Sequence, residues 1–188
     1  VNVTINGIPY NDAESQGTFW VNMWDFASST ESLQLQRGVG TSTNGTSSFG
    51  GSINFVSPTG IKEKTELEGT YGSWNTSRLN FSHETGLIGN DNISAYFNAS
   101  LFNTDGYKNH SGSKGYSIFL STSLYGTSDM WTLTAFNGKS NNEMVWFAVS
   151  EGDIETDPKT NYNSPDADDN FTQTFVSLAY KNRLNSAN

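Results

Sequence analysis

The strongest constraint on this chain is a period of two in apolar character, sustained over whole segments. In Ile93-Ser94-Ala95-Tyr96-Phe97-Asn98-Ala99-Ser100-Leu101 every odd position is apolar, and the even ones are Ser, Tyr, Asn and Ser. Tyr116, Ile118, Leu120 and Leu124 fall opposite Ser117, Ser121 and Ser123; Trp131, Leu133 and Ala135 alternate with Thr132 and Thr134. Val176, Leu178 and Tyr180 alternate with Ser177, Ala179 and Lys181, and Leu67, Gly69 and Tyr71 oppose Glu66, Glu68 and Thr70. Residues 76–85 fit less cleanly, with Leu79 and Phe81 against Asn80, Ser82 and Glu84. Successive side chains of a strand point to opposite faces, so these segments read as strands with one apolar and one polar face. Their length is that of transmembrane β-strands, about 9–11 residues. No run approaches the roughly 18 apolar residues of a membrane-crossing helix.

The connections carry a second pattern. Short turns at Gly89-Asn90-Asp91 and Gly126-Thr127-Ser128 alternate with longer links over 103–114 and 137–170. Short turns on one side and long loops on the other are the habit of outer-membrane barrels; the brief Ser73-Trp74-Asn75 link on the long-loop side is the exception. Tyr71, Trp74, Tyr107, Tyr125, Trp131 and Phe171 stand near predicted strand ends, where aromatic girdles form. Before residue 58 the texture differs: short strands such as 1–5 and 32–36, an Asn6-Gly7 turn able to take positive φ, an aromatic stretch over 19–26, and a run of Gly, Ser, Thr and Asn over 38–51.

Composition excludes several classes. Hydrophobic residues are 34%, charged residues 15% and aromatics 13%; disordered chains are poor in aromatics and rich in charge, so this balance belongs to half-apolar strands. A net charge of −9 excludes a nucleic-acid partner, which needs a basic face. With no cysteine there is neither a disulfide framework nor a thiolate metal site. His83 and His110 are not at metal-ligand spacing, no nucleophile–base arrangement can be assembled, and no cofactor motif is present. The glycine-rich run lacks the Gly-Lys-Ser/Thr ending of a phosphate loop. The acidic stretch 151–157, with Asp166, Asp168 and Asp169, offers carboxylates to calcium but does not match a calcium-binding hand, and a solvated loop is the preferred of the two readings. The Asn-x-Ser/Thr triplets, such as Asn98-Ala99-Ser100, follow from a composition rich in these residues.

Four ordered blocks narrow the reading. They are Asn6-Gly7-Ile8-Pro9-Tyr10-Asn11-Asp12-Ala13-Glu14-Ser15; Phe19-Trp20-Val21-Asn22; Gln34-Leu35-Gln36-Arg37-Gly38-Val39-Gly40-Thr41-Ser42-Thr43-Asn44-Gly45; and Phe49-Gly50-Gly51-Ser52-Ile53-Asn54. In this order they resemble the second half of the plug domain of TonB-dependent receptors, the Bacteroidota branch above all, and Gly69-Thr70-Tyr71-Gly72-Ser73-Trp74-Asn75-Thr76 resembles that family's first barrel hairpin. Trp24 and Thr46-Ser47-Ser48 depart from the pattern. The resemblance implies an all-β chain with a mixed α+β plug over 1–58 and the first ~6 strands of a transmembrane antiparallel barrel over 59–188. The complete barrel would have about 22 strands with the plug inside, so both ends of this chain are expected to be cuts. No signal peptide and no TonB box are visible.

The resemblance further implies import across the bacterial outer membrane, energised by TonB, with no enzyme activity. Substrates would come from the siderophore, cobalamin, glycan or peptide classes; outer-membrane lipid would surround the barrel, and a surface lipoprotein is a conceivable partner. Arg37 is expected to be a buried or barrel-facing ion-pair residue, and Gly38, Gly45, Gly50 and Gly51 to permit tight backbone paths in the plug. Phe19, Trp20 and Trp24, with Tyr107 and Trp146 in the long loops, are the substrate-facing candidates, set against ordinary packing of those rings. Two alternatives share the sequence features: a non-transporting surface protein or adhesin on the same barrel, and a secreted carbohydrate-binding β-sandwich.

Overall fold

The computed structural model of the chain describes residues 1–20, 23, 25–38, 50–90 and 92–183. Among these residues, two sheets account for nearly all regular structure. Strands β1 (Asn2–Ile5), β2 (Ile8–Pro9), β3 (Ser32–Arg37) and β4 (Gly51–Val56) form a small mixed sheet in the order β2-β1-β4-β3. Asn6 and Gly7, at φ 52 and 81, make the two-residue turn that joins β1 to β2, while β1 pairs in parallel with β4. Strands β5 (Glu63–Gly72), β6 (Thr76–Thr85), β7 (Ile93–Thr104), β8 (Ser113–Tyr125), β9 (Asp129–Glu143) and β10 (Asp168–Asn182) follow as an antiparallel meander, each beside its sequence neighbour. No described helix is long and apolar enough to cross a membrane, which says nothing about strands.

The meander is inverted relative to a sheet built for water. Its buried face carries Ser94, Asn98, Ser100, Ser117, Ser121, Ser123, Thr134 and Ser140, interrupted by Tyr96, Phe119 and Phe136. Its exposed face carries Leu101, Ile118, Leu120, Leu124, Leu133, Val176 and Leu178. Leu178 is 65% exposed whereas Ser94 is 0% and Asn98 1%. A soluble β-sandwich puts the apolar sides of its strands between its sheets; here they face outward, as in a wall surrounded by lipid. That arrangement removes the secreted sandwich.

The ladder register shows how the apolar face is laid out. Following the rungs from Leu79 on β6, one passes Leu101 and Tyr116 and arrives at Lys139 and Thr172. Starting from Leu178 and Leu133 on β10 and β9, the rungs pass Thr122 and reach Ala95, whose N–H donates to the hydroxyl of Thr85, the rung partner of Glu63. The apolar band therefore crosses the rungs diagonally. Strands tilted by about 35–45° to a membrane normal require this drift. Near the band's edges stand outward-facing Tyr71 at one rim and the Trp131–Tyr180 pair at the other, with ring centroids 4.6 Å apart. Of the other girdle candidates, Trp74 and Tyr107 lie in connections, Tyr125 hydrogen-bonds Ser94 on the inner face, and Phe171 shares that face.

Two connections are shorter than the sequence predicts. The link expected over 137–170 is a strand at both ends: β9 continues to Glu143 and β10 begins at Asp168. The link over 103–114 shrinks to 105–112. Beyond the apolar band both faces of a strand meet polar surroundings, so hydrophobic alternation fades while the hydrogen-bond ladder goes on. Outward Asn137 and Asn141 donate to Thr174 Oγ1, Asp168 Oδ2 and Asn170 Oδ1 at 2.8–2.9 Å.

The small sheet sits on the polar face of the wall. Phe26, at the start of a 3-10 turn (Phe26–Ser29), is its central contact: its ring lies 5.2 Å from Phe136, 5.9 Å from Phe119 and 5.5 Å from Phe55 of β4, all edge-on. Polar contacts surround it. Asn98 Oδ1 accepts from Ser28 and Ser29 at 3.1 and 3.2 Å, and its amide exchanges bonds with Asn80. Tyr96 donates to the Ser28 carbonyl, Ser94 to that of Thr59. Gly60, at φ 71, presses on the backbone of Ala95 so closely that a Cβ would lie 2.5 Å from its carbonyl; only glycine fits where the chain passes from small sheet to wall.

The outward band makes a graded prediction. Leu120→Arg, whose rung holds Phe97, Ala135 and Val176, should cost about 2–4 kcal/mol of folding free energy in lipid vesicles. Asn137→Arg, beyond the β9 segment of the band, should cost about 0–1 kcal/mol. Urea titration of the full-length protein in vesicles measures both, and equal costs would contradict the lipid-facing assignment.

Candidate functional site

One end of the wall gathers the β5–β6 hairpin and the connections 105–112 and 144–167; the other end carries the links 86–92 and 126–128. Trp74 and Asn75 hold φ 55 and 56 in a Ser73–Thr76 turn closed by Thr76 N–H donating to the Ser73 carbonyl at 3.2 Å. This is the primed turn that strand twist favours, though tryptophan seldom takes positive φ. Trp74 is compensated from the next loop: its carbonyl accepts from Asp105 N–H at 2.9 Å, and its ring meets Tyr107 edge-on at 5.3 Å.

The longer loop is tied to the shorter one through Asn161. Its side-chain NH2 lies among the carbonyls of Asn109, His110 and Met144 at 2.9–3.0 Å, and Asn109 N–H donates to the Lys159 carbonyl. Asn163 Oδ1 accepts from the backbone of Trp146 and Phe147, leaving both rings exposed. Within this loop, helix α1 (Glu151–Thr156) is capped by Ser150, whose Oγ accepts from Asp153 N–H and donates to Asp153 Oδ2 at 2.5 Å. Tyr162 donates to the same carboxylate. The Ser150 bond first, and then Tyr162, holds the Asp153 carboxyl below its ordinary value. The acidic stretch thus serves as a cap and an anchor. Among the described residues no three His, Cys, Asp or Glu side chains converge as a metal site.

The substrate-facing candidates divide into groups. Tyr107 and Trp146 lie in the clasped loops, and Tyr107 gains Trp74 as a neighbour. Phe19 and Trp20 are exposed on the small-sheet side. Phe19 borders a cleft of about 250 Å3 between Tyr10, Gly17 and the wall residues Phe171 and Gln173, while Trp20 touches Phe55 at 6.2 Å. Trp24 lies outside the described residues. Tyr10 donates to Gln173 Oε1, and burial pushes its phenol above the ordinary value, so it remains a neutral donor.

The ion pair expected at Arg37 is found elsewhere. Arg37 is exposed at the end of β3 and makes no ion pair among the described residues. The pair joining small sheet to wall is Asp25–Arg78, Nε to Oδ2 at 2.9 Å, with Ser100 donating to the same carboxylate and Glu68 on Arg78 Nη1 at 3.1 Å. Of the glycines, Gly51 has the clearest need: at φ 135, a Cβ there would lie 2.5 Å from the Gln36 carbonyl. Gly38 takes φ 77, Gly50 borders open space, and Gly45 lies outside the described residues. Phe26, Asp25, Arg78, Asn98 and Asn161 carry no local sequence signature. Pairing of the hairpin and alternation on β7 place Arg78 and Asn98 on the inner face, but not against their partners.

No protein-family model matches the sequence, and no curated protein matches it either. Solved structures do match. The ferric-catecholate import receptor Fiu of E. coli K12 in its open form superposes with a TM-score of 0.75 at 19% identity, over 98% of this chain and 29% of that one. FpvA of P. aeruginosa bound to a heterologous pyoverdine gives 0.71 at 15% identity, over 98% and 26%. The FpvAI complex with a pyocin gives 0.68 at 15% identity, over 95% and 24%. This chain thus spans about a quarter of the length of these structures.

The Asp153 anchor predicts a pH response. A carboxyl whose folded value is depressed contributes stability above its unfolded value, and loses it as pH falls through the folded one. Proteolytic nicking of loop 144–167 should therefore stay constant from neutral pH to about 5 and rise below about 4. Asp153→Asn should show raised nicking at neutral pH and little further rise; nicking that is independent of pH in the parent protein would remove the anchor.

Proposed function

We propose that this chain, which has the plug-and-barrel fold of TonB-dependent receptors, is part of an outer-membrane transporter that takes up an extracellular ligand and is energised through TonB. The observation that carries the reading is the small sheet seated on the polar inner face of a wall whose outer face is apolar. A seated plug blocks a barrel lumen and an inner lining of hydroxyls and amides suits aqueous passage. Structural neighbours that bind pyoverdines or import ferric catecholates favour a siderophore over cobalamin, glycan or peptide. The Bacteroidota branch rests on the sequence blocks alone. Residues 1–58 are the plug portion and 59–188 the wall.

In this reading the clasped loops face outward from the cell. Ligand first meets the Trp74–Tyr107 pair and the exposed Trp146, then Phe19 and Trp20 on the plug. Flat rings of this kind stack on apolar or ring-bearing ligands. No covalent chemistry is asked of these residues; TonB supplies the work that displaces the plug.

The deciding experiment is uptake of radio-iron by cells expressing the full-length receptor, with ferric siderophores presented singly, in the presence and absence of TonB. Uptake that survives loss of TonB would favour passive flow, and none with any ligand tried, cobalamin and glycans included, would favour a surface protein. Trp74→Gly separates ligand contact from folding. Glycine suits the turn's positive φ, so the melting temperature should hold while ligand affinity falls by about tenfold, on the order of 1.4 kcal/mol. Unchanged affinity for both Trp74→Gly and Trp20→Ala would take these rings out of the binding site.

A further inference from the structure

We infer that Glu68 takes over the Arg78 guanidinium when the plug leaves the wall, so that the Asp25–Arg78 contact is built to be undone. This rests on the plug reading above and assigns Glu68 a positioning role in it. Arg78 divides its donors between two carboxylates: Nε to Asp25 Oδ2 at 2.9 Å, and Nη1 to Glu68 Oε1 at 3.1 Å. The two acceptors belong to different bodies. Asp25 directly precedes the 3-10 turn that docks Phe26 and Ser29, whereas Glu68 is on β5, beside Arg78's own strand. In the β5–β6 ladder Arg78 faces Thr70 and Glu68 faces Asn80, so they are diagonal neighbours on one face of the wall. Their contact does not depend on where the plug is.

The burial of the three groups makes the division consequential. The side chains of Arg78 and Asp25 are 23% and 18% exposed, and that of Glu68 is 61% exposed. At the start of release, when Asp25 has let go but the plug still shields the site, an unpaired guanidinium would carry its desolvation cost without Coulombic compensation. Glu68 removes that penalty, because Arg78 keeps a carboxylate on the wall. Glu68 also competes with Asp25 for Arg78 while the plug is seated. Both effects lower the barrier to release. Asp25 itself sits at φ 43, in the left-handed region that aspartate tolerates. The lost contacts of Asp25, the Ser100 hydroxyl included, are ones water can replace.

The test uses the full-length receptor, freed of other cysteines, with Ser29→Cys as reporter; Ser29 is 0% exposed beneath the turn. The rate of maleimide labelling at one fixed, sub-denaturing urea concentration reads plug release. Asp25→Asn should speed labelling by about 5–30-fold. Glu68→Gln should slow it by about 3–10-fold, Glu68→Asp should restore the parent rate, and Glu68→Gln should change nothing on the Asp25→Asn background. Faster or unchanged labelling in Glu68→Gln overturns the inference, since a second anchor would loosen the plug when removed and a bystander would do nothing. Uptake independent of TonB would overturn the transport reading, and the order of labelling rates would still decide the part played by Glu68.

Discussion

Everything in this structure follows from a wall whose hidden face is polar and whose open face is apolar. In water such a sheet would turn over or aggregate, because contiguous apolar surface of this extent is unfavourable. In hydrocarbon the demand is reversed: lipid accepts Leu, Val and Phe, and every backbone polar group must find a partner within the protein. The long antiparallel ladders meet that demand along β6 to β9, and the diagonal band of apolar residues fixes how the strands lean. Among the described residues the two outer strands, β5 and β10, each have one unpaired edge. In lipid that edge must be paired, as closure of a barrel does.

The same constraint decided how much of the structure could be read in the sequence. Where a strand has lipid on one side and the seated sheet on the other, its residues alternate, and β7 from Ile93 to Leu101 was plain. Where β9 and β10 run beyond the band, Asn137, Lys139, Asn141, Thr172 and Thr174 stand outward, and the apolar outward face that marks a lipid-facing strand is lost. The strands were there, but the solvent contrast that makes a strand legible was not. The resemblance carried the rest of the fold: nothing in the periodicity of 1–58 would by itself have seated that region against the wall.

The candidate site was less legible, for a different reason. Tyr107 and Trp146 were recognisable as exposed rings in long loops, and the structure leaves them exposed. Their supports were hidden. Asn161 makes its bonds to residues 109, 110 and 144, and is one asparagine in a chain rich in them. The ion pair was expected at Arg37 because a buried charge is usually paired, yet Arg78 makes it, across 53 residues, with Asp25. Which of two arginines meets a carboxylate depends on the seating of one sheet on another, and a single sequence does not encode that in any local spacing.

That seating has a composition suited to being reversed. Its apolar heart is small: Phe26 inserted between Phe119 and Phe136, backed by Phe55. Exposing one such side chain costs about 1.5–3 kcal/mol. Most other contacts among the described residues are hydroxyls and amides, with the Asp25–Arg78 pair, each contributing roughly 0.5–1.5 kcal/mol net because water replaces them on separation. An interface of the same extent filled with leucine would hold far more tightly and expose apolar surface when opened. The serines and asparagines that line the wall therefore answer two demands at once. They satisfy the seated sheet while it is in place, and they present a wettable surface when it is gone. An apolar lining could meet the first demand better, but it would fail the second.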